Sequence, residues 1–123
     1  MTPPFKLLII DDSEEILRML ENFLSKKNYQ VVTASDGLGG LKLLETENPD
    51  FDLVITDIVM PDISGVAIIS IIKKKLPATP VIAITGWGRH PEALAAEAKV
   101  DAVLEKPFEL SKLDKLIRNL LSK

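Results

Sequence analysis

Short apolar runs alternate with amphipathic stretches from one end of the chain to the other. Lys6 to Ile10, Gln30 to Ala34, Asp52 to Thr56, Pro80 to Ile84 and Asp101 to Glu105 predict five strands. The third is apolar in succession rather than in alternation, as in a strand covered on both faces. After the first run, Ile16, Leu17, Leu20, Phe23 and Leu24 recur at helical spacing. Asp12 or Ser13 would cap that helix, with Glu14 and Glu15 in its first turn, where the helix dipole favours acids. A second helix, capped by Ser35 or Asp36, runs through Leu38, Leu41, Leu43 and Leu44. Its Gly39 and Gly40 each cost about 1 kcal/mol relative to alanine, with no reason visible in the sequence.

From Ser64 to about Leu76 the spacing is ambiguous. Val66, Ile68, Ile69, Ile71 and Ile72 would also suit a strand. Length and the closing Lys73-Lys74-Lys75 favour a helix, because cations suit a helix C-terminus. A short Ala-rich helix is predicted from about Pro91 to Ala98. A last one, from Glu109 to Ser122, carries Leu110, Leu113, Leu116, Ile117, Leu120 and Leu121 on one face. Strand then helix, five times over, implies an α/β fold with parallel strands, right-handed crossovers and a three-layer α/β/α sandwich.

The 123 residues fit one domain over 1–123, and 46% apolar content is enough for a buried core. A formal net charge of -3 disfavours nucleic-acid binding by this domain alone. The absence of cysteine excludes disulfides, thiolate metal sites and a cysteine nucleophile. No segment approaches the roughly 18 uninterrupted apolar residues of a membrane span, and the start lacks the build of a secretory signal. A soluble, cytoplasmic protein with no membrane partner is the expectation.

Four of the predicted strands end in chemistry. The first runs into Asp11-Asp12, the third into Asp57, the fourth into Thr85 and the fifth into Lys106. Parallel strands would gather these residues at the carboxyl edge of one sheet, where open α/β sheets bind ligands. Asp11, Asp12 and Asp57 are hard oxygen donors suited to Mg²⁺, which takes few protein ligands and keeps several waters. A carboxylate in such a place could attack phosphorus and form an acyl phosphate. The metal, the Lys106 ammonium and the Thr85 hydroxyl would balance the phosphoryl oxygens.

Ile9-Ile10-Asp11-Asp12, the segment from Asp57 to Gly65, Ile84-Thr85-Gly86 and Glu105-Lys106-Pro107-Phe108 together resemble the receiver domain of two-component response regulators, the type seen in the single-domain chemotaxis regulator. The resemblance covers nearly the whole chain. It implies a flavodoxin-like (βα)5 fold with strand order 2-1-3-4-5. It implies Asp57 as the phosphoacceptor, with Asp11, Asp12, Asp57 and the backbone carbonyl of Val59 around Mg²⁺. Lys106 would contact the phosphoryl group, Thr85 would move to hydrogen-bond it, and the Lys106-Pro107 peptide would be cis. It implies a sensor histidine kinase or phosphotransfer protein as donor, and an output partner or domain as recipient of the signal. The domain would assist its own phosphorylation and dephosphorylation without being a turnover enzyme. The chain departs from the pattern at Val103, where the family usually has Tyr or Phe. The aromatic half of the switch is therefore missing, and Trp87 is a candidate to carry part of the readout. The family's usual partner surface would here include Ala95, Lys99, Asp101 and Lys112.

Other functions fit less well. A haloacid-dehalogenase-like phosphohydrolase commonly uses Asp-x-Asp, but Val59 stands two residues after Asp57. A flavin binder wants a phosphate-cradling loop where this chain has Asp11-Asp12. A phosphorylation-independent scaffold has no need of Asp57, Thr85 and Lys106 together. Asp62 and His90 read as loop residues, Gly65 as a local backbone requirement, and the lysine run as a solvated helix end. Ile71, farthest from the core direction of its helix, marks either partial burial beneath lysine stems or a surface for a homodimer or another partner.

Overall fold

The computed structural model describes residues 4–46, 50–58, 65–86 and 100–122. Within them the elements are β1 (Lys6–Ile10), α1 (Glu14–Ser25), β2 (Gln30–Ala34), α2 (Gly37–Thr46), β3 (Leu53–Asp57), α3 (Gly65–Lys75), β4 (Val81–Thr85), β5 (Ala102–Glu105) and α4 (Leu110–Leu121). The helix expected over about 91–98, the Ser64 cap, and the Val59, Trp87, Ala95 and Lys99 positions lie outside the described residues.

All strand pairs are parallel, in the order β2-β1-β3-β4-β5. Alternation along each strand sends side chains to two faces. Leu8, Ile10, Val54, Val81 and Ala83 pack on one face with Leu44 of α2 and Ile68, Ile69 and Ile72 of α3. Leu7, Ile9, Leu53, Ile55, Ile82, Ile84 and Leu104 pack on the other with α1 and α4, through Leu17, Leu20, Leu24, Leu113 and Ile117. The result is the three-layer α/β/α sandwich. Its central strands β3 and β4 are buried along their whole length.

The ambiguous isoleucine run is helical. Three of its isoleucines face the core, and Ile71 is half-buried. Ser13 caps α1, its hydroxyl accepting from the Ile16 N–H at 3.3 Å. In front of α2, Asp36 takes the equivalent part, with Oδ1 accepting from the Gly39 N–H at 2.6 Å.

Strands β3 and β4 each start and end one residue later than the apolar pattern suggests. Asp57 and Thr85 are therefore the last residues of strands rather than the first of loops. The acids before β3 and β5 bind neighbouring strands. Asp52 donates its N–H to the Lys6 carbonyl at 2.8 Å and accepts the Lys6 N–H on Oδ2 at 2.7 Å. Asp101 brackets Val81 in the same way, at 3.0 and 2.7 Å, and its Oδ2 also meets Lys73 Nζ at 2.6 Å. Asp101 therefore clamps α3, β4 and β5 together at the edge opposite the strand endings that carry the chemistry.

The glycine pair in α2 has a steric reason. A Cβ on Gly40 would lie 2.5 Å from Cδ1 and 2.9 Å from Cγ1 of Ile10, so any side chain there would have to push Ile10 aside where α2 crosses β1. Gly40→Ala should therefore not yield the gain of about 1 kcal/mol that helix propensity alone offers. Overpacking costs about 1–3 kcal/mol, so the net expected change is a loss of about 1 kcal/mol in urea denaturation. A gain would mean that Ile10 gives way freely.

Candidate functional site

Four strand endings meet at the carboxyl edge of the sheet. The Asp11 N–H donates to the Ala34 carbonyl at 3.1 Å, which carries β1 one residue beyond its last strand position. Asp57 closes β3 opposite Ile84, and Thr85 closes β4 opposite Glu105. The Lys106 N–H donates to the Thr85 carbonyl at 2.9 Å, which fixes where the lysine leaves the sheet. The following Lys106-Pro107 peptide is cis.

The side chains converge. Lys106 Nζ lies 3.5 Å from Asp11 Oδ2 and 3.4 Å from Asp57 Oδ2. Asp11, Asp12 and Asp57 each offer a carboxylate oxygen, all within 4.8 Å of one another. Asp11 and Asp57 are buried, at 1% and 4% exposure, while Asp12 is exposed. Two sheltered carboxylates and one open to water suit a hard cation that keeps part of its hydration shell. The donor set therefore fits a metal ion.

Burial is the main reason the Asp11 carboxyl is held above the ordinary range. The Ser13 N–H, which donates to Asp11 Oδ1 at 2.9 Å, opposes that shift, as does the Lys106 charge. The Asp57 charge adds to it. A cation among these oxygens would favour the charged form and reverse the balance.

Thr85 is fully buried at the end of β4, and among the described residues its Oγ1 has no hydrogen-bond partner. A buried hydroxyl without a partner costs on the order of 1–3 kcal/mol, so an acceptor arriving at this edge would find a donor waiting. Val103 is half-buried opposite Ala83, on the face packed by α2 and α3. No aromatic ring occupies that position.

Sequence reasoning missed an apolar cleft beside the lysine. Ile16 and Met19 of α1 face Pro107 and Phe108 across it, with Lys106 at its rim. Met19 is 43% exposed, one of three large apolar side chains left exposed among the described residues. The signal was present in the chain, because Met19 stands three residues after Ile16 and off the core-facing stripe of α1. On the expected partner surface, Lys112 and Asp101 are both exposed, and the Asp101 carboxylate is also engaged by Lys73 and the Val81 N–H.

Comparison with known proteins agrees with this geometry. The family described as response regulator receiver domain matches residues 7–118. The transcriptional regulatory protein GlrR of Escherichia coli is 37% identical over 119 residues, covering 96% of this chain and 26% of that protein. The chain spans less than half the length of the curated relatives it matches. A receiver domain protein from Clostridium thermocellum superposes with a TM-score of 0.87 at 34% identity, covering 96% of this chain and 94% of that one. The response regulator TrrA of Thermotoga maritima, solved in complex with Mg²⁺-BeF, superposes with a TM-score of 0.84 at 32% identity, covering 95% and 99%. Fold, strand order, acidic edge and family match converge: the chain belongs to the response regulator receiver domains.

Proposed function

We propose that this domain accepts a phosphoryl group on Asp57 and changes its affinity for a partner while the group is in place. The observation that carries the reading is the position of Lys106, whose ammonium stands within 3.5 Å of both Asp11 and Asp57. Asp57 is the acceptor because it ends the central strand 3.4 Å from that ammonium, in the same cluster of oxygens as Asp11 and Asp12. Its carboxylate oxygen forms the new bond to phosphorus. The bond from phosphorus to the donor's imidazole nitrogen, or to an acyl oxygen, breaks, and the leaving group departs with its electron pair.

Asp11, Asp12 and Asp57, with the Val59 carbonyl, would hold Mg²⁺, which supplies charge neutralisation for the phosphoryl oxygens. Lys106 leaves its ion pair with Asp57 and turns to a phosphoryl oxygen. Thr85, whose hydroxyl has no partner among the described residues, gains an acceptor. The fold thus assists its own phosphorylation and dephosphorylation rather than turning over a substrate. None of the described helices is long and apolar enough to cross a membrane, and a cytoplasmic location completes the reading.

A sensor histidine kinase or phosphotransfer protein is the donor this site fits. The cleft of Ile16, Met19, Pro107 and Phe108 opens beside Lys106, so a donor delivering phosphohistidine to Asp57 would cover it. Met19→Asp should slow transfer from a phosphorylated donor protein by about tenfold, the loss of about 1–2 kcal/mol expected where an apolar anchor at the centre of an interface is replaced by a charge. Phosphorylation by acetyl phosphate should be unchanged. Equal slowing with both donors would place the effect in the site and not in docking.

Intact-mass analysis after acetyl phosphate and Mg²⁺ tests the function itself. One phosphoryl group is expected, and none when a chelator replaces the metal. A protein that stays unmodified under both conditions would overturn the reading.

A further inference from the structure

Thr56 is fully buried, yet it carries a hydroxyl. It precedes Asp57 in β3 and shares the sheet face of Val54, opposite the face of Ile55. Valine has the same shape, and the neighbouring positions of the strand are Val54 and Ile55. Packing alone does not call for a hydroxyl there. What the hydroxyl does is donate to the Asp57 carbonyl oxygen at 3.1 Å.

The same peptide unit is held from its other side. The Ile58 N–H donates to the Ile84 carbonyl at 2.9 Å. The next carbonyl, that of Ile58, accepts the Gly65 N–H at 3.1 Å, and a Cβ on Gly65 would run into the Ile58 main chain. Three hydrogen bonds therefore fix the two peptide units that follow the Asp57 Cα. The direction of the Asp57 side chain is set by the frame of that Cα, and one arm of the frame is the peptide Thr56 holds.

We infer that Thr56 is a positioning residue for phosphoryl transfer, its hydroxyl aiming the Asp57 carboxylate through the Asp57 carbonyl. The inference rests on the reading of Asp57 as acceptor. In-line attack needs the reacting atoms in near-contact geometry, and a small misplacement lowers the rate without weakening donor binding.

The test compares wild type with Thr56→Val and Thr56→Ser. Rates of phosphorylation by acetyl phosphate are followed by intact mass at saturating Mg²⁺ over a range of donor concentrations. Thr56→Val keeps the shape and removes the donor. Its maximal rate should fall by about five- to tenfold, the rate equivalent of one ordinary hydrogen bond, with an unchanged half-saturating donor concentration. Thr56→Ser keeps the donor and removes a methyl group, and it should stay within about twofold of wild type. A packing role predicts the reverse order, since serine leaves a cavity and valine does not. Thr56→Cys, with a weak donor, replaces valine in the comparison should the valine variant not fold.

Wild-type rates in the valine or cysteine variant, or a serine variant as slow as valine, would overturn the inference while leaving Asp57 as acceptor. A wild type that takes up no phosphoryl group would overturn both.

Discussion

Asp57→Asn should remain at its unmodified mass after acetyl phosphate and Mg²⁺, under conditions in which wild type gains one phosphoryl group. The amide lacks the anionic oxygen that the proposed attack on phosphorus needs, so the loss should be complete rather than partial. The fold should survive the change. Asp57 ends β3, and its backbone stays in the ladder whatever the side chain, with the Ile58 N–H on the Ile84 carbonyl at 2.9 Å. Asparagine is also close in volume to aspartate, and it removes one of three neighbouring carboxylates. Far-ultraviolet circular dichroism and thermal melting should therefore match or exceed those of wild type. A phosphoryl group that still appears in the variant would move the acceptor to another residue. Acid- and base-lability of the adduct would then tell an acyl phosphate from a hydroxyl ester.

The same strand end shows why so much was legible in the chain and what was not. Strands β1, β3 and β4 each contain an unbroken apolar run, over 7–10, 53–55 and 81–84, because both faces are covered, and each run gives way to polar residues at the carboxyl edge. Period and punctuation were enough to place Asp11, Asp57, Thr85 and Lys106 on one edge. Contacts between elements leave no such trace. Gly40 looks like a defect of α2 until Ile10 is seen beneath it. Asp101 is an exposed acid, and nothing in the chain shows that its carboxylate ties Lys73 and the Val81 N–H together. The hydroxyl of Thr56 is invisible in a strand where threonine is an ordinary residue. The cleft at Met19 needs two segments almost ninety positions apart, α1 and the turn after β5, to be brought side by side. In each case the missing information is which side chains meet across the layers, and neither local periodicity nor propensity encodes it.

Asp11→Asn should have opposite effects on the metal-free and the Mg²⁺-loaded protein. Burial raises the Asp11 pKa above the unfolded value of 3.8. An acid with a raised folded pKa contributes stability below its unfolded pKa and loses it as pH rises through the folded one. At neutral pH the charged Asp11 therefore weakens the metal-free fold. Asparagine removes that charge while its Oδ1 still accepts from the Ser13 N–H, which lies 2.9 Å from Asp11 Oδ1. The metal-free variant should melt above metal-free wild type at pH 7, and the gap should close as pH falls below 3.8. With Mg²⁺ the order should invert. A cation present at a hundred times its dissociation constant stabilises the native state by about 2.7 kcal/mol. Losing a carboxylate that binds or orients the metal shell weakens affinity by about tenfold or more. The variant should then gain about 1.4 kcal/mol or less from the same Mg²⁺ concentration. Melting curves with and without Mg²⁺ at pH 7 and at pH 3.5 separate the two effects. A variant less stable than wild type without metal would mean that the Lys106 pairing outweighs desolvation at Asp11. An unchanged Mg²⁺ response would remove Asp11 from the metal site.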